Sequence, residues 1–403
     1  MKFLPYEPEQ AGLLPPHVKD VLGEDPLCFF LHEVVERLDL SAFTADYSDE
    51  GQRPYAPAMM VKVWLYAYCL LVTASRRLEQ RVKEDLPFRF LAGGATPHHC
   101  TLNDFRTRHR RAINDLFLQV VEVARGLGMG RLGQVAIDST RVHAHASRRR
   151  VETQAALRQR LAQTRRAIRR WQPPCDAANP NEEPGTEVKS GYKKPLERQV
   201  AAPQQQLRKL KKLGAQQLSV TDSDSRFLHQ SGEGFVRGYT VDLAVSDDPL
   251  IVGQRTTQAV SDSASLLPMI RQVEKTCGER PSEVSADSAF FSGQNLKGWE
   301  RGGIEGYLPD AHLAGELQHR RGPLKTPGDA PAHRRMRAKL RSPAGQARYR
   351  RRQALVEPVF GVLKEPRGMR HLRLRGRSKV GTEVALYCTA FNLTRMWRTV
   401  AQR

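Results

Sequence analysis

Three acids in this chain stand where a carboxylate is costly unless something positive meets it. Asp138 interrupts the apolar run Val135-Ala-Ile-Asp-Ser-Thr-Arg-Val142, where it has to be paired, hydrogen-bonded or bound to a cation. Asp287 closes a second short run, Ser282-Glu-Val-Ser-Ala-Asp. Glu357 lies in Tyr349-Arg-Arg-Arg-Gln-Ala-Leu-Val-Glu-Pro-Val-Phe-Gly-Val-Leu-Lys364. Singly, each has an ordinary explanation: a strand aspartate can be a turn or ladder-end acceptor, and Glu357 with Lys364 a surface pair. Together, like charges raise one another's pKa and favour a divalent cation. Mg²⁺ is hard, takes oxygen ligands and keeps several waters. Two such ions about 4 Å apart activate an attacking oxygen and stabilise a leaving one in phosphoryl transfer.

The neighbouring residues say what must hold these acids. Val135, Ile137, Thr140 and Val142 give a β-branched strand fed by a turn at Gly133. Residues 282–287 read as a strand ending in its acid, with Ser292 and Gly293 opening a helix. Glu357, Gly361 and Lys364 share one face of an ideal helix, with Arg350 and Gln353 a turn or two earlier. Pro358 disfavours helix at Glu357, so the helix restarts or kinks there. Further strands are expected at 226–229, 238–245, 250–253 and 304–308. A helix over 262–276 is expected to be capped by Ser261 or Asp262, and 316–345 reads as basic, Pro-interrupted loop. Strands alternating with helices make this half α/β.

The first part of the chain is helical in pattern. A helix is expected over 27–38 and a strong one from Pro57, where the missing N–H costs nothing. A third over 76–83 would be capped by Ser75. A long helix from the box-like Thr101-Leu-Asn-Asp104 to about Leu127 carries Arg106, Arg108 and Arg110 in its early turns. Those basic side chains suit either a DNA-binding face or a solvated face of a scaffold. Between strands, 148–215 reads as an inserted basic helical hairpin, with Leu157, Leu161, Thr164, Ile168 and Trp171 forming a short seam. It could lie along DNA or be a solvated arm. The division expected is 1–130 helical and 131–403 α/β, with the insertion inside the second.

With 403 residues and a net charge of +21, the chain has room for two or three domains and needs a polyanionic partner, nucleic acid first among them. Six scattered cysteines without a Cys-x-x-Cys pair argue against a zinc ribbon or disulfide framework and suit a reducing cytosol. No leader or membrane-spanning stretch is read in the sequence, so a soluble protein is expected. His143 and His145 alternate on the strand face opposite Asp138 and are expected to face solvent. Thr221-Asp-Ser-Asp-Ser reads as a turn, so Asp222 and Asp224 are not taken as a rival acid pair. Arg370, Arg373, Arg375, Arg377 and Lys379 form a stripe that, on an alternating strand, would present the odd-numbered arginines to a phosphate backbone.

On these motifs the chain resembles the bacterial insertion-sequence transposases of the DDE class, in the branch with a Tyr–Arg–Glu–Lys signature around the catalytic Glu. Asp138 in Ile-Asp-Ser-Thr, Asp287 in Ala-Asp-Ser-Ala-Phe and Glu357 in Val-Glu-Pro-Val-Phe-Gly match the three acids. Tyr349, Arg352 and Lys364 match the rest, although four residues rather than three separate Arg352 from Glu357. Ser75-Arg-Arg-Leu-Glu and Thr101-Leu-Asn-Asp-Phe-Arg resemble the branch's helical N-terminal domain, and Gly376-Arg-Ser-Lys and Ala390-Phe-Asn-Leu its C-terminal end. The resemblance implies an RNase H-like mixed sheet with flanking helices. It implies cleavage of double-stranded DNA at terminal inverted repeats and 3′-hydroxyl strand transfer into target DNA, with two Mg²⁺ or Mn²⁺ ions. It also implies a homo-oligomer on DNA in the bacterial cytoplasm, at the nucleoid. The alternatives are a two-metal nuclease without strand transfer and a decayed copy that only binds DNA.

Overall fold

The strand bearing Asp138 sits in the middle of the sheet in the computed structural model, which describes residues 18–23, 26–45, 47, 54–147, 149–170, 193–214, 216–230, 234–318, 322 and 330–402. The strands are β1 (Gln134–His143), β2 (Val151–Thr153), β3 (Gln217–Ser219), β4 (Arg226–Gln230), β5 (Gly234–Val245), β6 (Ile251–Thr257), β7 (Glu283–Ala286) and β8 (Glu305–Tyr307). The main sheet runs β4-β5-β1-β7-β8, with β6 also paired to β5. β5 is antiparallel to β1, whereas β1, β7 and β8 are mutually parallel neighbours. This is an RNase H-like mixed sheet. The apolar runs around the acids are buried on both sides, which is why they lack a clean alternation.

The helical first part comprises α1 (Val18–Leu22), α2 (Leu27–Glu36), α3 (Ser41–Thr44), α4 (Pro57–Cys69), α5 (Ser75–Glu84), α6 (Leu86–Leu91), α7 (His99–Arg108) and α8 (Arg110–Gly126). The insertion folds as α9 (Gln154–Arg170) and α10 (Lys193–Leu213). The later helices are α11 (Leu266–Cys277), α12 (Gly293–Gly302), α13 (Ala311–Leu317), α14 (Pro331–Arg341), α15 (Pro343–Lys364) and α16 (Arg377–Ala401). One hydrophobic core runs from Cys28 through β1 and β5 to Met396. α16 packs on α4, α8 and β6 and so ties the helical part to the sheet.

Several local expectations are corrected. The helix over 101–127 breaks at His109 (φ −88°, ψ 38°). Its ring is drawn inward against Phe105 and Phe43, with centroids 4.7 and 5.4 Å away, and its Nε2 lies 3.1 Å from the Tyr47 hydroxyl. α7 starts earlier, at His99, so Thr101 is inside it and His98 is the cap. Ser75 is the first residue of α5 rather than its cap. Ser265, whose side chain makes no capping bond, precedes α11, and Asp262 is taken by Arg141 instead. Residues 331–341 and 343–345 are helical where loop was expected, because Pro331 and Pro343 sit at helix starts.

α15 runs unbroken for 22 residues through Pro358. Ala354 and Pro358 are both exposed, so the Ala354 carbonyl that loses its intrahelical donor can be solvated. The hairpin insertion is closed at its base by the β2–β3 ribbon, which pairs Val151 with Ser219. Leu157, Leu210 and Leu218 form its own small core. Trp171, the expected end of the seam, lies outside the described residues.

Candidate active site

β1 and β7 are the two parallel strands that carry the aspartates. Their register ends at Ile137 opposite Ala286, so one further residue puts Asp138 beside Asp287, on strands about 4.8 Å apart. Both side chains lie on the face covered by α15. Gln134, on that same face of β1, donates to Ser285 Oγ (3.2 Å) and to the Arg348 carbonyl (2.7 Å), which fixes α15 to the sheet. One helical turn on, Arg352 reaches Asp138: Nη1 to Oδ2 is 2.9 Å. Asp138 also accepts from the Ser139 N–H at 2.7 Å. Asp287 caps the 3₁₀ turn Ser288–Phe290 by accepting from the Ala289 N–H at 3.1 Å.

Burial, opposed by Arg352 and reinforced by the Asp287 charge, pushes the Asp138 carboxyl up to about 6. Burial raises Asp287 as well, again against the pull of Arg352. The guanidinium is 7 % exposed; Asp138 holds it protonated despite its burial, which opposes the charge. Burial also raises Tyr349, whose ring lies 5.7 Å from the Arg352 guanidinium carbon. A cavity of about 200 Å³ adjoins, lined by Gln346, Tyr349, Arg350, Arg352 and Gln353 among others.

Four of the expected site residues therefore meet: Asp138, Asp287, Arg352 and Tyr349. Glu357 does not join them. It is exposed on α15 and accepts from Gln353 Nε2 at 3.0 Å, about 140° round the helix from Arg352. Lys364 follows Glu357 two turns later on the same stripe and is half-buried.

The expected DNA-contacting arginines divide. Arg106 is 3 % exposed, donates to the Tyr68 hydroxyl, the Thr73 carbonyl and Asn103, and lies 4.4 Å over the Trp64 ring. It is a brace of the helical core and not a surface contact. Arg108 is exposed, with its guanidinium 5.7 Å over Tyr47, and Arg110 caps the Thr107 carbonyl at 2.8 Å. Arg373 and Arg375 are exposed on one side of a segment whose Leu372 and Leu374 are buried. That segment is extended but not a strand; a single bridge, His143 to His371, joins it to β1. His145 is exposed as expected, whereas His143 is half-buried, its ring tilted against that of His371 at 4.6 Å.

One side-chain group escaped the sequence reading. On the sheet face opposite Asp138, Ser139 donates to Asp242 (2.6 Å), and Arg141 grips Asp262 at 2.9 and 3.1 Å. Asp242, inside Tyr239-Thr-Val-Asp-Leu, carried the same signal as Asp138, an acid within an apolar strand. Asp222 is buried beneath the Tyr239 hydroxyl, 2.8 Å from both its oxygens.

The donor set at Asp138 and Asp287 suits a hard cation: two half-buried carboxylates, oxygen only, whose shared charge is met by a single guanidinium. Among the described residues no helix is long and apolar enough to cross a membrane. Two family models match the chain, Transposase DDE domain over residues 319–397 and Transposase domain (DUF772) over residues 18–108. No curated protein and no solved structure matches it.

Proposed function

We propose how this chain, which belongs to the insertion-sequence transposases of the DDE class, performs its chemistry: it cleaves DNA at the element ends and joins the freed 3′-hydroxyl to target DNA. The observation that supports this reading is the pairing of Asp138, in the middle of β1, with Asp287, just past the end of β7, under one buried arginine. Asp138 and Asp287 would hold Mg²⁺ or Mn²⁺, and Glu357, which stands apart from them here, would have to turn in from α15 to complete a two-ion set. Such ions supply Lewis-acid stabilisation of the attacking and leaving oxygens. Arg352 fixes Asp138 Oδ2 and offsets the charge of the pair. Tyr349, Arg352 and Lys364 are assigned to the scissile strand, and Arg108, Arg110, Arg373 and Arg375 to the flanking duplex. The helical residues 1–130 then serve DNA binding and residues 131–403 catalysis, at the nucleoid. Synapsis of two ends requires at least a dimer.

Single replacement of Asp138, Asp287 or Glu357 by Ala is expected to abolish cleavage and spare DNA binding. A strand-transfer assay with a pre-cut 3′-hydroxyl end separates a transposase from a nuclease of the same fold. A second reading has one observation in its favour: Glu357 is turned to solvent and bonded to Gln353. On that reading the chain binds DNA without cutting it, and Mg²⁺ leaves its unfolding temperature unchanged.

A further inference from the structure

A dense patch of positive charge lies on α9, apart from the acids. α9 contains no acid over its 17 residues. Arg158, Arg165, Arg166 and Arg169 are exposed and make no hydrogen bond or ion pair among the described residues. Arg158, Arg165 and Arg169 fall within about 20° of one line along the helix and span about 16 Å. Like charges at Arg165 and Arg169, four apart, cost stability in water, so this face is unfavourable until an anion meets it.

The arm is also held in place. Leu157 is buried with Leu210 and Leu218, and the ribbon at the base pairs Val151 with Ser219. Lys209 of α10 meets Asp224 at 2.5 Å, and Asp224 accepts from the Arg377 N–H at 2.9 Å, so the arm is tied to the start of α16. The apolar side of α9 is spent on α10, which leaves no apolar face for a membrane surface. B-DNA carries one charge per about 1.7 Å of axis, so about ten phosphates lie in the length of duplex beside this stripe, a part of them facing it.

We propose that α9 is a sequence-independent clamp that lies along the DNA backbone outside the active site. The proposal rests on the transposase reading above and adds to it the surface that holds long DNA. The test is a salt titration of duplex binding by R158Q/R165Q/R169Q, with the charge-retaining R158K/R165K/R169K as control. Circular dichroism verifies that the helices remain.

On a long duplex the slope of log affinity against log salt is expected to fall by up to about 2.7, at about 0.9 per phosphate contact. The lysine variant keeps the parent slope. On a short duplex carrying only the cleavage site, binding and cutting stay at the parent level. An unaltered slope on the long duplex, an equal loss on the short one, or a loss confined to structured RNA overturns the clamp. A parent protein that binds and cuts DNA while the variant's slope is unaltered overturns the clamp alone; a parent that binds no duplex overturns the transposase reading with it.

Discussion

Acids are drawn inside both at the start of α16 and where the middle of β1 meets the end of β7, and the two regions treat them differently. Glu383 is fully buried and accepts from the Arg373 N–H at 3.0 and 3.1 Å and the Leu374 N–H at 2.8 Å. Nearby Asp222 has the Tyr239 hydroxyl at 2.8 Å and the Gly376 N–H at 3.1 Å. These donors are neutral and fixed by the fold. Asp138 and Asp287 each accept one backbone N–H too, but they lie side by side, and the charge they share falls on one side chain, Arg352. Backbone donors cannot leave, whereas a side-chain cation can be exchanged for another. The first arrangement suits architecture and the second suits a site that takes up ions.

The largest expected effect tests the second region. Asp138→Asn and Asp287→Asn keep the side-chain volume and are expected to lower cleavage by roughly 10³-fold or more, with duplex binding retained. A nicking assay with a gel-shift control measures both, and residual cutting near the parent rate would remove the contrast. The next effect tests the first region. Glu383→Gln weakens the acceptor for two backbone donors and is expected to cost about 2–3 kcal/mol in urea unfolding, with cleavage per folded molecule unchanged. Arg106→Gln belongs with it: it loses the Trp64 stacking and the Tyr68 and Thr73 bonds, and its loss should appear as instability. A change in DNA affinity without one would return Arg106 to the binding surface.

The two regions also differed in how far the sequence could announce them. The strands around Asp138 and Asp287 were legible because β-branched residues and an interrupting acid are local signals. The helix from Pro57 was legible for the same kind of reason, a proline at its first turn. Arg106 was misjudged because charge was read as exposure. It follows Leu102 by four residues and Phe105 by one, which already put it on the buried stripe. His109 broke a helix through contacts with Phe43 and Tyr47, more than sixty residues earlier, which no window on the sequence contains. Prolines at 331 and 343 were read as breaks when they were beginnings. The position of Glu357 turned on which face of α15 meets the sheet, and Leu355, Val356 and Val359 settle that by burial.

A smaller effect distinguishes the aspartate pair by titration. Asp138 takes its proton at about 6 in the folded chain and about 3.9 when unfolded. Between those values the folded state binds the extra proton, so stability falls as pH rises through the window and levels off above it. Asp287, raised likewise, adds the same sign. The drop is expected to be up to about 3 kcal/mol with chelator present, to shrink in Asp138→Asn to what Asp287 contributes, and to be reversed by Mg²⁺. Thermal unfolding between about pH 4.5 and 7.5 measures it. The same slope in the parent and in Asp138→Asn would show that the pair is not what titrates.

The smallest effect concerns Arg108, two residues from Arg106 and opposite to it in every respect that matters. Its guanidinium is exposed and rests over Tyr47, beside a cavity lined by Tyr55, Thr101 and Asp104 among others. An exposed residue of this kind contributes within about 0.5 kcal/mol to stability, so Arg108→Gln should leave the unfolding midpoint where it is. If it meets a phosphate, the salt slope of duplex binding falls by about 0.9, equally for related and unrelated sequences, because a phosphate contact carries no base information. A loss confined to one sequence would make Arg108 a reader of bases. An unaltered slope would leave α7 as scaffold, with Arg106 inside it and Arg108 merely solvated outside.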